Sequence, residues 1–273
     1  MTNTVGFIGA GQLGEPMVMR LLGAGHHVLV HSRRDEVMDR LAASGAGPAG
    51  SVAELARQSD ILISCLFSDS QLRETGLGPD RFIANAKPGS VFVSHTTGTV
   101  STLEALRDSS SSAPVILDAP VSGTAEDIAA GTLTVLIGGQ ADAVEAVAPV
   151  LAAYADPVVP TGELGSALGI KLINNLLFAA NAQLIAAATQ LGDNLGVEPG
   201  ALLSALQVCS GRSGAAAHAH RIGGIDRFTE LAGPFLRKDV AACHEAAAEA
   251  GVDLGLLGTV AQTGPLTFAD SAG

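Results

Sequence analysis

Up to Gly162 the chain alternates short, uniformly apolar runs with longer amphipathic ones; beyond it the short runs vanish. The short runs are VGFI (Val5–Ile8), VLVH (Val28–His31), ILISCL (Ile61–Leu66), VFVS (Val91–Ser94), VILD (Val115–Asp118), TVLI (Thr134–Ile137) and PVV (Pro157–Val159). They are rich in β-branched residues and apolar at consecutive positions, which predicts strands covered on both faces. Helical patterns fill the gaps. Two of them, Ser51–Glu54 and Ser101–Glu104, have the spacing of a capping box, in which a serine oxygen takes the backbone N–H three residues on and the glutamate reaches back. This alternation predicts an α/β, doubly wound, mainly parallel sheet. The serine-rich piece Ser109–Pro114 reads as the loop before VILD.

From Leu164 to Asn194 the chain is rich in alanine and leucine and free of proline, which predicts one helix. At about 1.5 Å per residue it is long enough to cross a domain. Alanine-rich helix, broken by glycine and proline, continues to Gly273. The predicted division is a sheet domain over 1–161 and an all-α domain over 162–273. No repeat of fixed period is present.

Composition narrows the classes of partner. The 273 residues are 47% apolar, enough for a sizeable core in one large or two ordinary domains. Formal net charge is −12, and the acid is scattered rather than gathered in a tail. Such a surface repels phosphate backbones and anionic lipid, so neither nucleic acid nor membrane is an expected partner. The apolar stretch Leu164–Gly192 is interrupted by Lys171, Asn174, Asn175, Asn181, Gln183 and Gln190, which reads as too polar for a membrane span. The opening MTNTVGFIGAG lacks the basic and apolar regions of a signal peptide. Cys65, Cys209 and Cys243 are odd in number and far apart, which fits reduced thiols in the cytoplasm rather than a disulfide frame or a zinc site.

GFIGAGQLG places Gly9, Gly11 and Gly14 in G-x-G-x-x-G spacing between a predicted strand and a predicted helix. In that context Gly9 permits a tight turn, Gly11 lets backbone approach a pyrophosphate, and Gly14 lets helix pack on strand. Gln12 and Leu13 complete the loop before the helix, whose positive end would receive the phosphates. The second strand ends in HSRR: His31, Ser32, Arg33 and Arg34. An acid at this point would bind a ribose 2′-hydroxyl; cations suit a 2′-phosphate. NADP is therefore expected over NAD, with Arg33 the favoured contact.

Lys171 is the only charged residue between Glu163 and Asp193. On a helix, Lys171, Asn174 and Asn175 share one face. Apolar surroundings disfavour the charged ammonium, which would suit Lys171 to exchange a proton near neutral pH. The competing reading is a lysine whose stem packs while its head reaches water. His218 and His220, two apart, fit neither a helical metal pair nor an H-E-x-x-H site and read as surface or interface residues. Arg212 and Arg221 are equally consistent with an anion contact and with a solvated face.

Four motifs in order, GFIGAGQLG, DAPVSGTAEDIAAGTL (Asp118–Leu133), GELGSALGIKLINN (Gly162–Asn175) and FLRKDV (Phe235–Val240), resemble the β-hydroxyacid dehydrogenase family, the group containing 3-hydroxyisobutyrate dehydrogenase. The resemblance covers nearly the whole chain. It implies an N-terminal Rossmann domain like the NAD-binding domain of 6-phosphogluconate dehydrogenase, a helical C-terminal domain and an active site between them. It further implies that Ser122 and Gly123 bind a substrate carboxylate, that Lys171 is the acid/base, and that Asn175, with Asn174, orients the substrate. Leu66, Phe67 and Thr97 would border the nicotinamide, and Lys238 and Asp239 would close the site. The implied activity is hydride transfer between NADP(H) and a short β-hydroxyacid or its semialdehyde. No metal is implied, and the long apolar helix leads us to expect a homodimer or larger homo-oligomer.

The sequence departs from the family pattern at Thr124, Asp127, Ile128, Ser94 and Ala167, and in SGRSG (Ser210–Gly214). These departures lie near the substrate rather than at the lysine, and leave the substrate open; the preferred direction of reaction and the roles of Arg212 and Arg221 are open as well. The alternatives are an imine reductase on the same scaffold, whose relatives usually carry aspartate or tyrosine in place of the lysine, and a non-catalytic NADP-binding module.

Overall fold

A computed structural model describes residues 3–267. Two compact units emerge, Met1–Lys171 and Leu172–Gly273. The last six positions of the expected helical domain, 268–273, lie outside the described residues.

The first unit runs β1 (Thr4–Ile8), α1 (Gly14–Gly23), β2 (His27–His31), α2 (Asp35–Ala43), β3 (Gly47–Pro48), α3 (Val52–Gln58), β4 (Ile61–Ser64), α4 (Asp69–Gly76), β5 (Val91–Ser94), α5 (Val100–Asp108), β6 (Val115–Asp118), β7 (Val121–Ser122), α6 (Ala125–Ala130), β8 (Leu133–Gly138), α7 (Ala141–Leu151) and β9 (Ala155–Gly162). The sheet order is β3-β2-β1-β4-β5-β6-β8-β7, with β9 paired to β8. The first six strands are parallel, with the reversal of strand order at β1/β4 that marks a dinucleotide-binding fold. β8 runs antiparallel to β6 and β7.

Alternate residues of the apolar strands feed two cores. Val5, Phe7, Val28, Val30, Ile61 and Ile63 pack on one face, under α1 and α7. Ile8, Leu29, Leu62, Phe92 and Ile116 pack on the other, with Leu55, Phe82 and Leu103. Burial on both faces is why these runs carry no polar alternation.

The expected strands are present, some with shifted ends. ILISCL is a strand only over Ile61–Ser64, while the PVV run extends to Ala155–Gly162. The two-residue strands β3 and β7 are too short to leave a periodic signal. At Ser51 the cap forms: its oxygen accepts the Glu54 N–H at 3.1 Å, and Glu54 Oε2 reaches back to the N–H of Gly50 rather than to that of Ser51. The second expected box does not form. α5 starts two residues before Glu104's predicted partner would allow, with Thr99 as its cap residue, and Ser101 lies inside the first turn. The Thr99 N–H and hydroxyl both donate to Asp69 Oδ2, at 2.8 and 3.0 Å, and this fixes the helix start there.

α8 (Ser166–Asn194) is the single long helix expected, 29 residues. By length and mean hydropathy (1.3) it does qualify as a membrane-spanning candidate, because the expectation weighed its polar interruptions and not its average. Half of that stretch is buried inside the protein, as in a core helix. The division between the units falls inside α8, later than the 161/162 boundary read from sequence, because the first turn of this helix is bonded to the sheet (below).

In the second unit α8 is followed by α9 (Pro199–Leu206), α10 (Gly214–Ile222), α11 (Ile225–Ala250) and α12 (Gly255–Thr263). Leu176, Ala179, Ala182, Leu203, Phe228, Leu236 and Val240 make its core. Buried Gln183 clamps the end of the described chain, donating to Ala261 O (2.9 Å) and Leu266 O (2.7 Å) and accepting the Leu266 N–H (2.7 Å). His218 packs edge-on against Phe228, its pKa lowered first by burial and then by Arg221, whereas His220 is exposed.

Candidate functional site

The turn after β1 shows three glycines with three different reasons. Gly9 has φ +90°, and a Cβ there would sit 2.4 Å from Cys65 O. A Cβ on Gly14 would meet Gly9 O at 2.2 Å and the Phe7 ring at 3.0 Å, so helix and strand could not close. At Gly11 a Cβ would meet nothing within 4 Å. The loop thus offers bare backbone to open space at Gly11 alone, which is what close approach of a pyrophosphate demands. Gln12 is exposed and Leu13 half-buried; Leu13 precedes α1 without a side-chain cap. The positive end of α1 therefore faces the loop uncapped by any side chain. These residues fit a dinucleotide.

Gly11, Gln12, Glu15, Pro16, Met19 and Arg34 line an open groove of about 490 Å³. Arg34 Nη2 donates to Ala10 O at 3.1 Å, across the glycine loop. The Arg34 N–H donates to Ser32 Oγ at 3.3 Å. Arg33, the contact favoured from sequence, is exposed and does not line the groove. Glu15 is gripped by Arg40, Nε to Oε1 and Nη2 to Oε2, both at 2.9 Å. That hydrogen bonding, ahead of the Arg34 charge, holds the Glu15 carboxyl below the usual range.

At the carboxyl ends of β4 and β5 lie Leu66, half-buried, Phe67, 63% exposed, and Thr97, half-buried. The hydroxyls of Ser64, Ser94 and Thr96 are buried there without a hydrogen-bond partner among the described residues. Beside them His95 is fully enclosed. Its Nδ1 meets Ala119 O at 2.5 Å and its Nε2 meets the Tyr154 hydroxyl at 2.8 Å. A carbonyl only accepts, so Nδ1 carries the proton and Nε2 accepts from Tyr154. Burial lowers the His95 pKa to about 4 against the weaker opposing pull of Ala119 O, and burial pushes the Cys65 thiol up to about 12.

Ser122 ends β7 and Gly123 follows it; both are exposed. Gly123 has φ +142°, and a Cβ there would strike Asp127 Oδ2 and Leu133 Cδ1, each at 2.9 Å. The departures just after it have structural work. Asp127 Oδ2 accepts the Thr124 N–H at 2.7 Å, and Thr124 Oγ1 accepts the Asp127 N–H at 3.4 Å, a complete capping box for α6. Ile128 is fully buried in the core. The sequence did carry this signal, a threonine three residues before an aspartate.

Lys171 is half-buried, in the second turn of α8. One turn on, Asn175 is buried; its Oδ1 accepts from Asn174 Nδ2 at 3.3 Å, and its own Nδ2 has no hydrogen-bond partner among the described residues. The helix start is held by Asp118, at the end of β6 and fully buried: Oδ1 accepts the Gly165 N–H and Oδ2 the Leu168 N–H, both at 2.8 Å. Gly138 leaves room for that carboxylate, since a Cβ there would come within 2.6 Å of Asp118 Oδ1. Lys238 and Asp239 are half-buried on α11 of the second unit.

Comparison with known proteins gives the arrangement a lineage. Residues 4–162 match the family described as the NAD binding domain of 6-phosphogluconate dehydrogenase, and residues 165–270 that described as the NAD-binding of NADP-dependent 3-hydroxyisobutyrate dehydrogenase. The chain is 33% identical to the L-threonate dehydrogenase of Cupriavidus necator over 215 residues, 78% of this chain and 72% of that protein. The solved 3-hydroxyisobutyrate dehydrogenase of Mycobacterium tuberculosis with L-serine superposes with a TM-score of 0.85 at 26% identity, over 98% of this chain and 97% of that one. Psf3, in complex with NADP+ and 2-OPP, superposes with a TM-score of 0.78 at 25% identity, over 95% and 92%. The protein belongs to the β-hydroxyacid dehydrogenase family, oxidoreductases built on an NAD(P)-binding domain.

Proposed function

We propose that the protein transfers a hydride between NADP(H) and a short β-hydroxyacid or its semialdehyde, with Lys171 as general acid/base. The observation that carries this reading is on α8: a half-buried lysine and, one turn on, a buried amide donor, Asn175 Nδ2, with no hydrogen-bond partner among the described residues. A buried N–H is costly unless something accepts from it, and a substrate oxygen would do so.

Gly9, Gly11, Gln12, Leu13, Gly14, Ser32 and the HSRR arginines would hold the dinucleotide, with Leu66, Phe67 and Thr97 at its nicotinamide end and Lys238 and Asp239 bordering it. When bound, NADP supplies the hydride-accepting ring. The Ser122 hydroxyl and the backbone N–H at Gly123 bind the substrate carboxylate. Neutral Lys171 takes the proton from the substrate hydroxyl during oxidation; protonated, it returns one to the carbonyl during reduction. Asn175 fixes the reacting oxygen without titrating, and Asn174 sets its amide.

The protein acts as a homodimer or larger homo-oligomer in this reading. Ile170, Leu177, Leu184 and Leu191 are exposed at seven-residue intervals on α8, an apolar stripe suited to a second copy. Three free cysteines are consistent with a cytoplasmic setting. NADPH absorbance followed with short hydroxyacids, their semialdehydes and a cyclic imine tests the reading. Turnover of a hydroxyacid supports it. Turnover of the imine alone would assign an imine reductase, and cofactor binding without any turnover a non-catalytic module.

A further inference from the structure

Of the two arginines of HSRR, Arg34 lines the groove beside the glycine loop and Arg33 does not. Arg34, the residue before α2, turns back over the glycine loop to the Ala10 carbonyl and lines the groove beside Gly11 and Gln12. An anion entering here also meets Glu15, in the first turn of α1, whose carboxylate lines the same groove. Left to itself that carboxylate would repel a phosphate and would compete for the Arg34 guanidinium. Both effects are offset by Arg40, which comes from α2 and takes both Glu15 oxygens in a fork-on-fork pair.

We infer that Arg34 is the 2′-phosphate ligand of this chain, and that the Arg40–Glu15 pair is a positioning device that keeps Arg34 available to it. The inference rests on the NADP reading above and deepens it: discrimination between NADP and NAD is set by Arg34 with Glu15 and Arg40 behind it, and Arg33 is secondary. Ala10 O leaves most of the guanidinium's five N–H donors for a phosphate, and the groove is open above it.

Dissociation constants for NADP and for NAD, measured by calorimetry on the native protein and on Arg33→Ala, Arg34→Ala, Arg40→Ala and Arg40→Ala/Glu15→Gln, test this. Arg34→Ala should weaken NADP about ten- to a hundredfold, the loss of a charge-assisted contact, and leave NAD within about threefold. Unchanged NAD binding also reports an intact fold. Arg33→Ala should change NADP binding less. Arg40→Ala should weaken NADP several-fold, and adding Glu15→Gln should restore it, which loss of a purely structural ion pair would not do. NADP preference retained in Arg34→Ala but lost in Arg33→Ala would overturn the inference and leave the NADP reading standing. NAD bound more tightly than NADP by the native protein would overturn both. No rescue by Glu15→Gln would overturn the positioning role.

Discussion

Asp118 and Leu168, fifty residues apart, are joined by one 2.8 Å bond from the Leu168 N–H to the buried Asp118 carboxylate, whose other oxygen takes the Gly165 N–H at the same distance. The end of β6 is thereby fastened to the first turn of α8, just ahead of Lys171. A carboxylate that accepts from two backbone donors is not replaced even by its isostere: in Asp118→Asn one of the two N–H groups faces an NH₂ donor. We predict a loss of about 2 kcal/mol in stability, measured by urea unfolding. Turnover number should fall more than substrate affinity, because the helix carrying Lys171 is loosened, and dinucleotide affinity should hold. Unchanged stability and turnover in Asp118→Asn would show that the anchor is dispensable.

The glycine loop makes a paired prediction. Gly14→Ala drives a methyl to within 2.2 Å of Gly9 O and should cost about 1–3 kcal/mol. Gly11→Ala meets nothing in the protein. It should leave stability within about 0.5 kcal/mol while reducing dinucleotide affinity tenfold or more, because the methyl occupies the face proposed for the pyrophosphate. Thermal melts with and without cofactor separate the two. Equal stability losses would contradict the assignment of open space at Gly11.

His95 makes acid stability predictable in sign. Its folded-state pKa is lowered to about 4 by burial, against an ordinary value of 6.5. The unfolded chain therefore takes up a proton that the folded one refuses. The stabilisation is complete above pH 6.5 and is lost as pH falls from there through 4, amounting to roughly 3 kcal/mol. Urea midpoints across that window should decline, and His95→Gln should flatten the part due to this residue. A midpoint rising as pH falls would refute the buried, neutral assignment.

Much of the fold was legible in the sequence for a clear physical reason. β5 and β6 match the runs Val91–Ser94 and Val115–Asp118 to the residue, because strands buried on both faces must be apolar throughout and end where polarity begins. The helix start at Thr99 was missed because its partner, Asp69, is thirty residues away, and a local capping pattern at Ser101 could not reveal it. Asp118 stood in plain view within DAPVSG, but a bond spanning fifty residues has no local signature. Which of Arg33 and Arg34 turns toward the loop depends on the backbone angle of one extended residue before α2, and adjacent arginines look alike in sequence. Thr124 and Asp127, which stand out in sequence as departures near the substrate, have their side chains spent on capping α6.

The central claim is that Lys171 moves the proton. Its most direct test is single-substrate turnover and NADP affinity for the native protein, Lys171→Ala and Lys171→Arg, with the substrate found by the screen. The account predicts that Lys171→Ala loses about 10²–10⁴-fold in turnover with NADP affinity nearly unchanged. Lys171→Arg should not recover the rate, because a guanidinium stays protonated and cannot accept the hydroxyl proton. Turnover retained in Lys171→Ala would contradict the account and reduce Lys171 to a packed helix residue with its head in water.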